Sequence, residues 1–298
     1  MIAHKATEPA NREHWLQSIS AVCYDPGGLP GKENIMRKFQ TSVTVAALIL
    51  FGGMTAAQAE IKTKTVEYKQ GDTVLEGFLA WDDAQQGKRP GVLVVHEWDG
   101  LGDYVKTRAE ALAKLGYVAF APDIYGKGVR PATPQQASQE SSKYAKDRPL
   151  MRQRVQAGLD QLKSNPDVDP TRIAAIGYCF GGTVALELGR SGADIAAIAT
   201  FHAGLSNPSP EDAKNIKARV LVLQGANDPL AKPADVDKFE DEMRATKVDW
   251  QFVSYGGAVH GFSNPNNNDS VHGIVYDKKA DQRSWKAMQD FFDEMFAK

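Results

Sequence analysis

The pattern that most constrains the fold is an alternation of short, wholly apolar segments with longer amphipathic segments between residues 90 and 296. The first apolar segment, Pro-Gly-Val-Leu-Val-Val-His at 90–96, has no polar face, as expected of a strand buried on both sides. Strands separated by helices pair in parallel and carry helices on both faces of the sheet. The sequence therefore predicts an α/β fold with a mainly parallel sheet. Its predicted strands are 90–96, 117–122, 173–178, 195–201, 219–224 and 250–255, and its helices are 104–115, 183–190, 233–246 and 282–296, with one or two more within 131–163.

A β-hairpin is predicted before this alternation begins. Residues 65–68 and 73–79 alternate apolar and polar side chains, and Gln70-Gly71-Asp72 supplies the turn. We expect the hairpin to add antiparallel strands at one edge of the sheet. The chain has a formal net charge of −2 and no run of Lys or Arg, which argues against a nucleic-acid partner.

The N-terminal segment resembles an export signal. Met36-Arg-Lys carries two cations, residues 43–54 are apolar, and Ala57-Gln-Ala59 is a small-x-small cleavage pattern. The alternative is a membrane anchor, but the apolar run is shorter than the roughly 20 residues that span a bilayer. We therefore expect 1–35 to be an upstream extension without a structural role, 36–59 a signal peptide, and 60–298 one α/β domain. The expected location is periplasmic, without a stable membrane anchor.

One cysteine stands where a predicted strand turns into a helix, in Gly177-Tyr-Cys-Phe-Gly-Gly182. G-x-C-x-G is the nucleophile-elbow pattern with sulfur in place of oxygen, and its small residues relieve crowding in a sharp turn. A helix that begins there directs its positive end at Cys179, which favours a thiolate. The chain has two cysteines, Cys23 and Cys179. The alternatives are an inert buried cysteine and a strand–helix joint that uses glycine for close packing.

An acid and a base follow two later predicted strands. Asp228 lies in Gly-Ala-Asn-Asp-Pro after 219–224, and His260 lies in Ala-Val-His-Gly-Phe after 250–255. Each has an ordinary explanation, because Asn-Asp-Pro suits turns and a lone histidine is more often structural. Together with Cys179, however, they occur in the nucleophile–acid–base order of α/β-hydrolases. Active sites of such sheets lie beyond the C-terminal ends of the strands, so we predict a triad there.

The end of the first buried strand, His96-Glu-Trp-Asp-Gly-Leu-Gly102, supplies the remaining candidates. A zinc-protease H-E-x-x-H motif is excluded because position 100 is Gly, and a G-x-G-x-x-G nucleotide loop is excluded because position 105 is Val. In this fold the oxyanion is held by the N–H after the nucleophile and by one N–H from this loop. The prediction is the backbone N–H of Phe180 and that of Trp98.

Five segments resemble the dienelactone hydrolase family: residues 96–101, 121–125, 177–182, Asn227-Asp228 and 259–262, within a similarity that extends from about residue 64 to 296. The resemblance implies an α/β-hydrolase fold and hydrolysis of an enol-lactone or related ester by a Cys–His–Asp triad, with no cofactor and no metal. It assigns Cys179 as nucleophile, His260 as base and Asp228 as its orienting acid. Glu97 is similar to a family glutamate that holds the resting thiol and helps to deprotonate it.

The chain departs from the family where a substrate carboxylate would be bound. Members that act on dienelactones use arginines, one of them four residues after the histidine, and here that position is Asn264. Arg152, with Arg148 and Arg154, lies before the elbow without matching the second arginine. Tyr125 and His202, with Asn264 and Arg152, are the predicted substrate-binding residues, and ordinary packing is the alternative for the two rings.

We therefore expect an enzyme that cleaves a small-molecule carboxylic ester or lactone through an acyl-thioester intermediate. A general carboxylesterase or thioesterase on the same triad is the first alternative. The second is a non-catalytic binding protein with a vestigial hydrolase fold, which the intact set of candidate residues disfavours. A thiol-redox protein is a third, and the lack of a C-x-x-C pair argues against it.

Overall fold

The structure is a computed structural model that describes residues 60–296. The upstream extension and signal peptide predicted for 1–59 lie outside the described residues. Strands and helices alternate along the described chain as β1 Ile61–Gln70, β2 Thr73–Asp82, β3 Arg89–Val95, α1 Asp103–Lys114, β4 Val118–Ala121, α2 Pro134–Lys146, α3 Arg148–Lys163, β5 Val168–Tyr178, α4 Phe180–Arg190, β6 Ala197–Phe201, β7 Arg219–Gly225, α5 Pro233–Arg244, β8 Trp250–Tyr255, β9 Asn268–Asp269, β10 Ile274–Val275 and α6 Lys278–Phe296.

Eight strands form one sheet in the order β1-β2-β4-β3-β5-β6-β7-β8. From β4 to β8 all neighbouring strands pair in parallel. The hairpin β1–β2 is antiparallel, and β2 joins the sheet by antiparallel pairing with β4. The predicted mainly parallel sheet with an antiparallel hairpin at one edge is confirmed.

Helices cover both faces of this sheet because its central strands are apolar on both sides. Along β3 the side chains of Val92 and Val94 enter one core, while those of Leu93 and Val95 enter the other. Helices α3, α4 and α5 cover the second of these cores, and α1 and α6 cover the first. Each fully buried Leu or Phe in such a core contributes about 1.5–3 kcal/mol.

Helix α4 begins three residues earlier than the sequence pattern predicts. It starts at Phe180 rather than at residue 183, directly after Cys179. The two glycines at 181 and 182 have low helix propensity, but tertiary packing outweighs that cost. The early start matters because it places the N-terminus of α4 beside the cysteine.

Two short elements have no clear sequence signal. A 3₁₀ helix spans Pro210–Asn215, and β9 pairs with β10 in a two-stranded antiparallel sheet. His260 joins this small sheet through a bridge to Ile274. Strands of two residues are too short for an alternating pattern to show. Of the residues described, no helix combines the length and the apolar character needed to cross a membrane.

Candidate active site

Cys179 occupies a strained turn between β5 and α4. Its φ of 52° is unusual for a residue with a side chain, and it directs the side chain away from both the strand and the helix. The turn is crowded: a Cβ at position 177 would lie 2.0 Å from the carbonyl oxygen of Gly181, and one at 181 would lie 2.3 Å from that of Val95. Glycine at both positions is therefore required for this backbone path, as the G-x-C-x-G pattern predicts.

The three residues at the ends of β5, β7 and β8 form one hydrogen-bonded chain. Nε2 of His260 lies 3.0 Å from Sγ of Cys179, and Nδ1 of His260 lies 2.9 Å from Oδ2 of Asp228. The histidine ring and the carboxylate are buried, whereas the cysteine is partly exposed. Because the strands are parallel, their C-terminal ends bring together residues that are 81 and 32 positions apart in sequence.

Asp228 is fixed by more than its contact with His260. Its Oδ2 also accepts a hydrogen bond from Nε2 of Gln224 at 2.7 Å, and its Oδ1 accepts one from the N–H of Leu230 at 2.8 Å. These donors orient the carboxylate and stabilise its charged form. The charged carboxylate in turn favours the tautomer of His260 in which Nδ1 carries the proton.

The pKa of His260 reflects opposing effects. Burial is the largest single effect and lowers the pKa, but the neighbouring Cys179 and the Asp228 carboxylate together outweigh it and raise the pKa to about 10. A raised pKa favours a protonated imidazole while the neighbouring sulfur carries negative charge. A protonated imidazole 3.0 Å from Sγ stabilises negative charge on sulfur.

Glu97 lies in the loop after β3, with 7% of its surface exposed. Its Oε2 accepts a hydrogen bond from Nδ2 of Asn264 at 2.6 Å. Burial raises the pKa of Glu97 to about 7, and the charge of Asp99 adds to the increase. The described hydrogen bonds include none between Glu97 and Cys179, whose sulfur is bonded to His260. Asn264 is therefore the hydrogen-bond partner of Glu97 in this structure, and the expectation that this glutamate holds the resting thiol stays a prediction.

The backbone of Glu97 is anchored by His96, which sequence reasoning treated only as part of a motif. Nδ1 of His96 donates to the carbonyl of Glu97 at 2.6 Å, and its Nε2 accepts from the N–H of Ile124 at 3.3 Å. Complete burial lowers the pKa of His96 to about 4, so the ring is neutral and can play both roles. His96 therefore holds the backbone of the loop after β3 against that of Ile124.

Glu97→Gln is expected to stabilise the protein at pH 8 and to change it little at pH 5. The folded protein keeps a proton on Glu97 up to about pH 7, whereas the unfolded chain releases it near pH 4.5. The folded state therefore loses stability as the pH rises through this window. Above it the penalty is about 2–4 kcal/mol, which glutamine removes.

Urea unfolding of both proteins at pH 5 and pH 8 measures this difference. Glu211→Gln is the matched control, because Glu211 is exposed. The control should unfold like the wild type at both pH values. An equal effect of Glu97→Gln at the two pH values would contradict the raised pKa.

Cys179 and His260 open into a cavity of about 380 Å³. Its walls come from the loop after β3, the start of α1, and the loops after β7 and β8. The lining residues are Glu97, Trp98, Asp99, Asp103, Tyr104, Cys179, Leu230, His260, Asn264, Asn266, Asn267 and Ile274. This volume fits a small ester or lactone.

Of the four predicted substrate-binding residues, Asn264 lines this cavity and the other three do not. Tyr125 is buried, its hydroxyl donates to the carbonyl of Trp98 at 2.8 Å, and its ring packs on that of Phe180. His202 is fully buried, with Nε2 2.7 Å from Oγ of Ser263. Both rings therefore support the cavity walls from behind.

Arg152 lies outside the cavity lining and is held by two carboxylates. Its guanidinium pairs with Glu187 at 2.8 Å and with Asp212 at 2.7 Å. Both ion pairs lie outside the lining of the cavity, and the buried Glu187 needs a cationic partner. A substrate contact by Arg152 stays a prediction.

A polar cluster that sequence reasoning missed supports the loop carrying His260. The hydroxyl of Tyr104 lies 2.7 Å from Oγ of Ser263, and Arg108 donates to the backbone carbonyl of Ser263 at 2.6 Å. Arg108 also pairs with Asp281 at the start of α6. The cluster ties α1, α6 and this loop together. The sequence held a weak signal for it, since Ser263 is three residues from His260.

The predicted oxyanion donors, the backbone N–H groups of Phe180 and Trp98, come from two separate segments of the site. Phe180 opens α4, so its N–H is among those at a helix start that have no partner inside the helix. Trp98 lies in the cavity wall on the loop after β3. Their assignment as donors to an oxyanion stays a prediction.

Known proteins resemble the chain over most of its length. The model of the dienelactone hydrolase family matches residues 75–296. A solved structure named m3DLH is 45% identical with a TM-score of 0.77, and the match covers 80% of this chain and 99% of that one. A dienelactone hydrolase-like promiscuous phosphotriesterase from metagenomic libraries is 42% identical with a TM-score of 0.78, and the match covers 80% of this chain and all of that one.

A curated relative agrees with these matches. A protein of Aquifex aeolicus named "Putative carboxymethylenebutenolidase" is 27% identical over 231 residues, which are 76% of this chain and 96% of that protein. The family match spans well over half of the chain, and the solved relatives share its sheet of parallel strands flanked by helices. The α/β-hydrolase fold is confirmed. The chain belongs to the dienelactone hydrolase family and is a hydrolase of esters or lactones.

Proposed function

We propose that the protein cleaves a carboxylic ester or lactone by covalent catalysis, with Cys179 as nucleophile, His260 as acid and base, and Asp228 as its orienting carboxylate. One observation carries this proposal: the unbroken contact chain from Sγ through the imidazole to Oδ2, with spacings of 3.0 and 2.9 Å. Nucleophile, base and orienting group within hydrogen-bond reach are the geometric mark of an activated nucleophile. Cys179 and His260 line a cavity of about 380 Å³, a volume that fits a small ester or lactone.

In the first step the thiolate of Cys179 adds to the carbonyl carbon of the substrate. The negative charge moves to the carbonyl oxygen, where the N–H groups of Phe180 and Trp98 are proposed to stabilise it. The tetrahedral intermediate then collapses and the C–O bond to the leaving group breaks. His260 gives its Nε2 proton to the departing oxygen, which leaves an acyl-thioester on Cys179 and a neutral imidazole.

In the second step water enters the place left by the alcohol. Nε2 of His260 removes a proton from this water, and the resulting hydroxide equivalent attacks the thioester carbonyl. The C–S bond breaks, the carboxylic acid is released, and the thiolate–imidazolium pair is restored. The balance is one ester and one water consumed for one acid and one alcohol, or one hydroxy acid when the substrate is a lactone.

The contacts of Glu97 suggest a supporting role. Its pKa of about 7 allows it to hold or release a proton at physiological pH, and it lines the same cavity as the sulfur. We propose that Glu97 gains or loses a proton, and so changes the charge beside Cys179, when a substrate replaces Asn264 as its hydrogen-bond partner. A thioesterase on the same triad would use the same steps, and thioester substrates in the same assay measure that activity.

Trapping the intermediate tests the proposal directly. With an activated aryl ester, release of the phenolate should show a burst of about one equivalent before the steady state, because deacylation is slower than acylation of such esters. Acid quenching during the burst, followed by peptide mapping by mass spectrometry, should find the acyl group on Cys179. A burst with the acyl group on another residue, or steady hydrolysis without any adduct, would overturn the assignment.

A further inference from the structure

We propose that the cavity selects uncharged or cationic esters and lactones and discriminates against substrates that carry a carboxylate on the acyl group. This inference deepens the proposed function and rests on it. It arises from the charges that face the space beside Cys179. Chemistry at the sulfur is common to many substrates, whereas the wall decides which of them is bound.

The cavity wall is acidic. Glu97, Asp99 and Asp103 contribute to its lining, and within the described chain no Lys or Arg does so. Asp103, at the rim, lies 3.6 Å from Lys106 in an exposed ion pair and so contributes weakly. Glu97 and Asp99 have no such cationic partner among the described salt bridges. Cys179 and His260 carry opposite charges in the proposed resting state, and their charges offset each other.

The nearest guanidinium is committed elsewhere. Arg108 pairs with Asp281 and donates to the carbonyl of Ser263 at 2.6 Å and to the hydroxyl of Tyr104 at 3.1 Å. It lies outside the lining of the cavity, and its charge is offset by the Asp281 carboxylate. An anionic acyl group would therefore lie close to Glu97 and Asp99 with no Lys or Arg of the described chain in the wall, since the charge of His260 is offset by that of Cys179.

Asn264 lines the cavity and is hydrogen-bonded to Glu97, which lies in the same wall. Its Nδ2 donates to Oε2 of Glu97 at 2.6 Å, so it satisfies the glutamate by a neutral hydrogen bond. A side-chain amide can exchange this partner for a neutral ester oxygen without exposing a buried ion pair. Because it brings no positive charge, it leaves the acidic character of the wall intact. Burial raises the pKa of Glu97 to about 7, and the charge of Asp99 in the same wall adds to the increase.

Three aryl esters of similar length and with the same leaving group test the inference. The acyl chain ends in a methyl group, a carboxylate or a trimethylammonium group. At pH 8, where Glu97 is mostly ionised, we expect kcat/KM of the full-length enzyme for the carboxylate ester to be at least about 10-fold lower than for the neutral one. The cationic ester should be cleaved at least as well as the neutral one.

Variants locate the discrimination. Asn264→Arg adds a cation to the wall. It should lower about 10-fold the ratio of kcat/KM for the neutral ester to kcat/KM for the carboxylate ester, whatever it does to the absolute rates. Asp99→Asn removes one wall charge and should change the ratio in the same direction, which provides a second route if Asn264→Arg folds poorly. Gln139→Arg, on exposed α2 outside the cavity, adds the same charge and should leave the ratio unchanged.

The outcomes separate this inference from the proposed function. Equal or faster cleavage of the carboxylate ester by the wild type would overturn the charge selection while supporting the ester hydrolase. Preserved discrimination in both wall variants would also overturn it. If the wild type cleaves none of the three esters, the proposed function fails and this inference fails with it.

Discussion

Cys179→Ala is expected to lower kcat/KM for ester hydrolysis by about 10⁴-fold or more, the effect usual for loss of a triad nucleophile. The reason is structural: the sulfur is the partly exposed end of the contact chain that runs through His260 to Asp228. Without it no acyl-enzyme can form, and His260 could at best activate water directly. Steady-state kinetics on the most reactive aryl ester, with enzyme concentrations high enough to see residual turnover, measure the loss.

Ser138→Ala is the matched control, because Ser138 is a small polar residue exposed on α2 and outside the cavity lining. It should retain full activity. Thermal unfolding of the Cys179 variant should stay close to that of the wild type, since alanine adds no atoms to the crowded turn. Activity within a factor of ten of the wild type in a folded Cys179→Ala protein would contradict the nucleophile assignment.

Asp228→Asn is expected to reduce kcat/KM by roughly 10³-fold or more, as removal of the triad carboxylate does in other enzymes. The carboxylate accepts from Nδ1 of His260 and Nε2 of Gln224 through Oδ2 and from the N–H of Leu230 through Oδ1, whereas an amide has one oxygen and cannot serve all three donors. If the amide rotates so that its NH2 group donates to Nδ1 of His260, it favours the imidazole tautomer that carries its proton on Nε2. That tautomer cannot accept a proton from water during deacylation.

The same substitution should change the pH dependence. Asp228 is one of the groups that raise the pKa of His260 to about 10, so its loss lowers that pKa. The resting thiolate–imidazolium pair then loses its proton at lower pH, and the alkaline limb of the kcat/KM profile moves to lower pH. Initial rates between pH 6 and pH 10 measure both the loss and the displacement.

Asp237→Asn controls for the change of net charge. Asp237 is exposed on α5, and its variant should match the wild type in rate and profile. If Asp228→Asn lowered the rate without moving the alkaline limb, the carboxylate would be a structural support of the loop and not the partner that sets the charge of His260.

The fold and the candidate triad could both be predicted before any coordinates existed. A strand without a polar face, such as 90–96, must be covered on both sides, and that requirement leads to helices on both faces of a parallel sheet. Parallel strands end at one edge, so residues directly after successive strands are neighbours whatever their distance in sequence. Cys179, Asp228 and His260 follow that rule, and the structure places them in contact.

The cavity wall could not be predicted in the same way. Arg152 was a reasonable candidate for binding an anion, yet its partners Glu187 and Asp212 lie 35 and 60 residues further along the chain. Their approach depends on how α3 packs against α4 and the 3₁₀ helix. His202 and Tyr125 also follow strands, but neighbouring side chains cover their rings. That a residue follows a strand places it at the edge of the sheet, but it does not determine whether its side chain is exposed to the cavity or buried by its neighbours.

The sequence by itself determined the order of strands and helices, the turn at Cys179 and the identity of Cys179, Asp228 and His260, because each of these follows from the hydrophobic pattern of one strand and the residues directly after it. Tertiary structure alone decided that Asn264 meets Glu97, that Arg108 is committed to Asp281, and that the cavity is acidic. Those outcomes depend on packing between loops and helices from distant parts of the chain. Burial and pairing, which set charge and pKa, arise only when these segments come together.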